Sequence, residues 1–135
     1  MTLRISLKDG EKMIVNGAVM RSVGRTDLVV ENQVALMRGR EVMSPQEATT
    51  PARRLYFACM LAYIGGDDGR AAQQDQVVNL LGDLVDVFEA EEPRAICARI
   101  AHLLAAADYY RALTECRALI AYESEALARL PVQAA

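Results

Sequence analysis

The stretch Met43-Ser44-Pro45-Gln46-Glu47-Ala48-Thr49-Thr50-Pro51-Ala52-Arg53-Arg54-Leu55 divides the chain in two. Ser44 can cap a helix, Pro45 fits a first turn and Glu47 completes a capping box. Thr50-Pro51 repeats the signal six residues on. The first start is therefore expected to yield one short turn, and the second a helix from Pro51 to Ile64 that stops at Gly65-Gly66.

Upstream the apolar period is two. Leu3, Ile5 and Leu7 alternate with Arg4, Ser6 and Lys8, the pattern of a strand with one buried face. Lys8-Asp9-Gly10 turns the chain into Met13-Ile14-Val15. Asn16-Gly17 is a strong hairpin signal, because both residues tolerate positive φ, and Ala18 to Val23 is the return strand. Leu28 to Val30 and Val34 to Met37 read as further short strands, with Glu41 to Met43 as a last one. Downstream the spacing becomes helical. After a polar loop at Asp67 to Arg70, a helix is expected over 71–91, with Val77, Leu81, Leu84 and Phe88 on one face. Pro93 resets the chain before a helix marked by Ile96, Ile100, Leu103 and Leu104. Asp108 caps the last helix, where Leu113, Cys116, Ile120 and Leu127 share a face and which Pro131 ends before a frayed 132–135.

The fold class that follows is α+β. A small antiparallel β module, a meander or small barrel, occupies residues 1–44, and an antiparallel bundle of about four helices occupies 45–135. So short a β module buries little surface by itself. It should lean on the helices or on a second copy, giving a homodimer.

Composition narrows the function. Of 135 residues, 53% are apolar and 24% charged, which is globular composition. The first residues lack the continuous apolar run of a signal peptide. The least charged segment, residues 55–66, falls short of the roughly 20 residues that span a bilayer. A soluble cytoplasmic protein with no membrane partner is expected. Cys59, Cys97 and Cys116 are far apart, form no CxxC pair and read as buried reduced thiols, so no metal site is expected. The one histidine, His102, sits between Ala101 and Leu103 and has no neighbouring nucleophile. Gly65-Gly66 and Gly69 follow a helix rather than linking a strand to a helix, so they make no phosphate loop. Nothing supports an enzyme or a cofactor.

Charge is uneven. Residues 1–54 carry nine basic and six acidic side chains, whereas residues 55–135 carry six and twelve. Arg4, Lys8, Arg21, Arg38, Arg40, Arg53 and Arg54 are the candidates for holding a phosphate backbone, which guanidinium forks suit. An ordinary charged surface is the plainer reading. Arg53 and Arg54 lie in the first turn of a helix, where the dipole disfavours cations. Residues set against local preference are more often functional, although an ion pair to Glu47 would explain them equally well.

Several segments together resemble one family. Leu3 to Lys8 (LRISLK) with Gly10-Glu11, Val15 to Ala18 (VNGA), Leu28 to Gln33 (LVVENQ), Thr50 to Phe57 (TPARRLYF) and Leu119 to Glu123 (LIAYE) are similar, in order and over nearly the whole chain, to the FlbT regulators of flagellin synthesis. The resemblance implies a post-transcriptional repressor associating with the 5′ untranslated region of flagellin mRNA, blocking translation or promoting decay, and acting with the small flagellar protein FlaF. The β module alone, at Gly10 to Ile14 and Arg40 to Val42, also resembles the mRNA regulator CsrA, whose strands interlock between two subunits. That likeness implies that Arg4, Ser6, Lys8 and residues 38–43 lie on RNA-facing edges. It departs at Gln46, where the CsrA pattern has an arginine. The alternative is an adaptor: an amphipathic helix of FlaF or flagellin would lie between the helices, near the exposed-looking Tyr109 and Tyr110. The β module has no aromatic residue, so base stacking must come from Tyr56 or Phe57, or be absent.

Overall fold

A computed structural model describes residues 3–32 and 34–129. Five strands, β1 (Leu3–Leu7), β2 (Lys12–Val15), β3 (Ala18–Arg21), β4 (Thr26–Val30) and β5 (Leu36–Arg38), precede four helices, α1 (Pro51–Ile64), α2 (Gly66–Val87), α3 (Glu91–Ala105) and α4 (Tyr109–Ala128). The fold is α+β, with a small antiparallel β unit ahead of a helical bundle. The strands form two sheets rather than one run: β1 pairs with β4, and β2 lies between β3 and β5. Asn16 and Gly17 adopt φ of 47° and 86°, which places Val15 opposite Ala18 in a two-residue hairpin.

Three local expectations are corrected. Glu41 to Met43 is not a strand. Gly39–Glu41 is a 3-10 turn, because the Glu41 carboxylate reaches back to accept the Arg38 N–H at 3.0 Å. Asp67 to Arg70 is not a loop. Gly66, at φ 64°, redirects the chain within one residue, and Asp67 and Asp68 then favour the positive end of the new helix. Side chains at Gly65 or Gly69 would meet the Leu61 carbonyl at 2.8 and 2.7 Å, so only glycine permits so tight a corner. The helix expected over 71–91 starts earlier and ends at Val87, and Pro93 lies in the first turn of α3. Pro45–Glu47 is the single short turn expected, and Thr50 and Asp108 cap α1 and α4. The expected stop at Pro131 and the frayed 132–135 lie outside the described residues.

α1 packs between α2 and α4, and α3 packs on α4. The main core gathers Leu55, Cys59, Leu84, Ile100, Leu113, Cys116 and Leu119 with Ile14 and Met37 from the β unit. Leu127, expected on the α4 inner face, is half exposed. A second cluster, Ile5, Leu7 and Met13, lies wholly among the strands. Among the described residues, no helix is long and apolar enough to cross a membrane.

Candidate nucleic-acid interface

The hairpin register sets the first part of the surface. Counting outward from Asn16-Gly17 brings Lys12 directly opposite Arg21, both exposed. Like charges facing each other across a strand pair are destabilising, and an anion lying across them would relieve the cost. Lys12 was not among the sequence candidates, although its partner follows from the turn alone. Gly39 sits against the Lys12 backbone, so the 3-10 turn carrying exposed Arg40 runs beside this pair.

Arg4 and Lys8 are exposed on the polar side of β1 and at its end, in phase with Ser6, whose hydroxyl donates to Asp27 at 2.8 Å. Glu11 organises this corner. Its carboxylate accepts the Lys8 N–H at 3.0 Å and Arg38 Nη2 at 3.1 Å. The Lys8 N–H bond, with the hydrogen bond and charge of Arg38 and the charge of Arg40, holds its pKa below the ordinary glutamate range despite some desolvation. Lys8, Arg38 and Arg40 therefore share one region. Arg38 is not available there: its Nη2 also donates to the Ser6 carbonyl at 2.6 Å, and its Nε is buried. It is a clamp between β5 and β1.

Arg53 and Arg54 stand apart at the start of α1. Arg54 is exposed, while Arg53 Nη1 donates to Thr49 Oγ1 at 3.4 Å and lies close enough to Glu47 to help lower its pKa. The ion pair expected between Arg53 and Glu47 is not formed among the described residues, although Arg53 is near enough to act on Glu47.

Sequence reasoning missed the groups that join the β unit to the bundle. Burial pushes the Glu41 carboxyl up, but the hydrogen bonds from the Arg38 N–H, Arg117 and Tyr110 outweigh it, and the net shift is down. Glu41 Oε2 accepts from both Tyr110 Oη and Arg117 Nη2 at 2.9 Å. Tyr56 donates to the Glu41 carbonyl at 2.6 Å, and Tyr63 both accepts from and donates to the Leu36 backbone, at 2.9 and 3.2 Å. Elsewhere in the bundle, buried Glu123 accepts the Ala52 N–H at 2.9 Å, a second acceptor at the start of α1 beside the Thr50 cap. His102 is exposed on α3. The Cys116 thiol is pushed up by its hydrogen bond with Cys59 and by burial, and Cys97 by burial, the opposite of what a thiolate nucleophile needs.

The segments TPARRLYF and LIAYE, which carry the resemblance, meet at the Ala52–Glu123 contact. The family model described as flagellar protein FlbT matches residues 3–127. The chain belongs to the FlbT family. It is 36% identical over 129 residues to the probable flagellum biosynthesis repressor protein FlbT of a Caulobacter species, covering 94% of this chain and 97% of that one. The flagellum biosynthesis repressor protein FlbT of Caulobacter vibrioides is 35% identical over 94% of this chain and 90% of its own. The Agrobacterium fabrum relative, a probable flagellum biosynthesis repressor, is 36% identical over 93% of this chain and 84% of its own. No solved structure matches.

Proposed function

We propose that this FlbT-family chain is a cytoplasmic repressor of flagellum biosynthesis that binds the leader of flagellin mRNA through the cationic face of its β unit. Bound there, it blocks ribosome entry or opens the message to nucleases, and FlaF acts beside it. The repressor role rests on the names of its relatives. The RNA role rests on one observation: Lys12 faces Arg21, both exposed, with Arg40 alongside, while Arg4 and Lys8 are exposed on β1 and just after it, in the other sheet. Arg53 and Arg54 are an outlying contact for a longer RNA.

The test is a gel-shift titration of leader RNA with an R4E/R21E/R40E variant, which leaves the Arg38 clamp intact. Binding should be abolished. Wild-type affinity should fall with salt at a slope of roughly −0.7 per phosphate neutralised. Unchanged affinity in the triple variant would show that the face is wrongly assigned.

A second reading, the adaptor, is favoured by a groove of about 700 Å³ between α2 and α3, lined by Val77, Val78, Leu81, Val85 and Leu104. A helix of FlaF or flagellin fits its apolar character. Retention of FlaF by protein purified from nuclease-treated lysate, with repression intact in the charge-reversed variant, would favour this reading over RNA contact. The β3 edge, where Val19 is 67% exposed, is the surface on which a second copy would add. Light scattering reads that stoichiometry.

A further inference from the structure

Where the β unit meets the bundle there is a cavity of about 510 Å³ walled by Asn16, Tyr63, Arg70, Asp108, Tyr109 and Tyr110. Three of the chain's five tyrosines converge here from two helices, next to a β unit that has no aromatic residue. The Tyr63 and Tyr110 rings lie 5.6 Å apart, tilted by 56°. The Arg70 guanidinium lies 5.2 Å from the centre of the Tyr109 ring. A planar cation against a phenol is a ready-made stacking platform.

We propose that this cavity receives an unstacked base of single-stranded RNA, with Tyr109 and Arg70 as its platform. The proposal rests on the RNA-binding reading and adds the aromatic subsite that reading lacks. Three features carry it. The volume lies in the range of small-molecule pockets and suits a nucleotide. Among the described residues the ion-pair partner of Arg70 is Asp67, at 3.5 Å, and Asp67 is 99% exposed, so exchanging that partner for a phosphate costs little. The cavity is also coupled to the cationic face. Tyr110 donates to Glu41, the residue after Arg40, so a strand passing over Arg40 reaches the cavity mouth. Asn16, whose Oδ1 is committed to the Ala35 N–H at 3.0 Å, keeps its amide NH2 for a base edge.

Two measurements decide it. The first is the affinity of the leader RNA used above for Y109L and Y109F. Leucine keeps the apolar bulk and loses the flat face, so binding should weaken roughly 5- to 150-fold, while phenylalanine should stay near wild type. Should Y109L fail to fold, R70A replaces it, with loss of several-fold expected. The second is an NMR titration of the full chain with AMP, CMP, GMP and UMP. Shifts should concentrate at the amides of Asn16, Arg70, Tyr109 and Tyr110. RNA affinity that is equal in Y109L and wild type, with no shifts at these amides, overturns the cavity and leaves the cationic face standing. Shifts at these amides without RNA binding overturn the message-binding reading and leave the cavity as a nucleotide site. Absence of both overturns the two together.

Discussion

The β unit and the helical bundle solve the burial problem differently. The bundle encloses a continuous core in which Leu55, Ile100, Leu113 and Leu119 are fully buried. The β unit has only Ile5, Leu7 and Met13 for itself, and it contributes Ile14 and Met37 to the bundle's core. One face of its central hairpin, that of Ile14, is thus covered by the helices, and the other, that of Met13, by β1. Lys12 and Arg21 lie one pair further along the Ile14–Val19 face, where both are exposed. The lesson is a division of labour: stability sits in the acidic half, and the basic half is held in place by a few contacts.

The largest effect should come from the shared core. Leu55→Ala should cost about 2–5 kcal/mol and unfold both regions together, because Leu55 belongs to the cluster that also holds Met37. Leu7→Ala, in the strand cluster, should loosen the β unit and leave the helices formed. Hydrogen exchange alongside urea unfolding separates these outcomes. A single cooperative loss in Leu7→Ala would dissolve the distinction between the two regions.

Next in size are the polar ties. Tyr63→Phe strands the Leu36 N–H and should cost about 1–3 kcal/mol, read as faster exchange in β5 before any change in α1. Arg38→Gln should cost about 1.5–3 kcal/mol, because the guanidinium serves both Glu11 and the Ser6 carbonyl. If exchange in α1 rises as much as in β5, the ties serve the whole fold rather than the junction.

The acid response sharpens the same contrast. Glu41 has a folded-state pKa below its ordinary value of 4.5. Its contribution is therefore complete above that value and is lost as pH falls through the lower folded pKa. Urea midpoints should decline on acidification below about pH 4.5. Glu41→Gln should lie below wild type at neutral pH and show a shallower decline. A parallel decline in both proteins would mean that other carboxylates carry the acid sensitivity.

Much of this was legible in the residues. The period change around Ser44 to Pro51, the Asn16-Gly17 turn and the caps at Thr50 and Asp108 are local chemistry, and local chemistry is written in order along the chain. The Gly66 corner was misread because two glycines in a row signal a stop. They do not reveal that the next helix can begin at once when Asp67 and Asp68 meet its first turn. The 3-10 turn at Gly39–Glu41 is closed locally by Glu41 on the Arg38 N–H, but the groups that hold the Glu41 carboxylate there, Tyr110 and Arg117, lie 69 and 76 residues away. The same distance hid the three-tyrosine cavity, whereas Lys12 facing Arg21 could have been counted from the hairpin.

The smallest expected effect is also the most direct comparison of the two regions. Arg99 and Glu115 form an ion pair between α3 and α4 at 3.1 Å, the same length as the Arg38–Glu11 pair. The Arg99 side chain is 55% exposed and that of Arg38 is 31% exposed. Water and salt screen the first pair, and its removal breaks no backbone contact. Arg99→Gln should therefore shift stability by no more than about 0–1 kcal/mol, a difference that fades in high salt. Arg38→Gln should keep more of its cost in high salt, because a hydrogen bond to the neutral Ser6 carbonyl is lost along with the ion pair. Equal and equally salt-sensitive losses in the two variants would mean that the β unit is fastened by surface electrostatics, and that Arg38 is free after all to turn outward toward a phosphate.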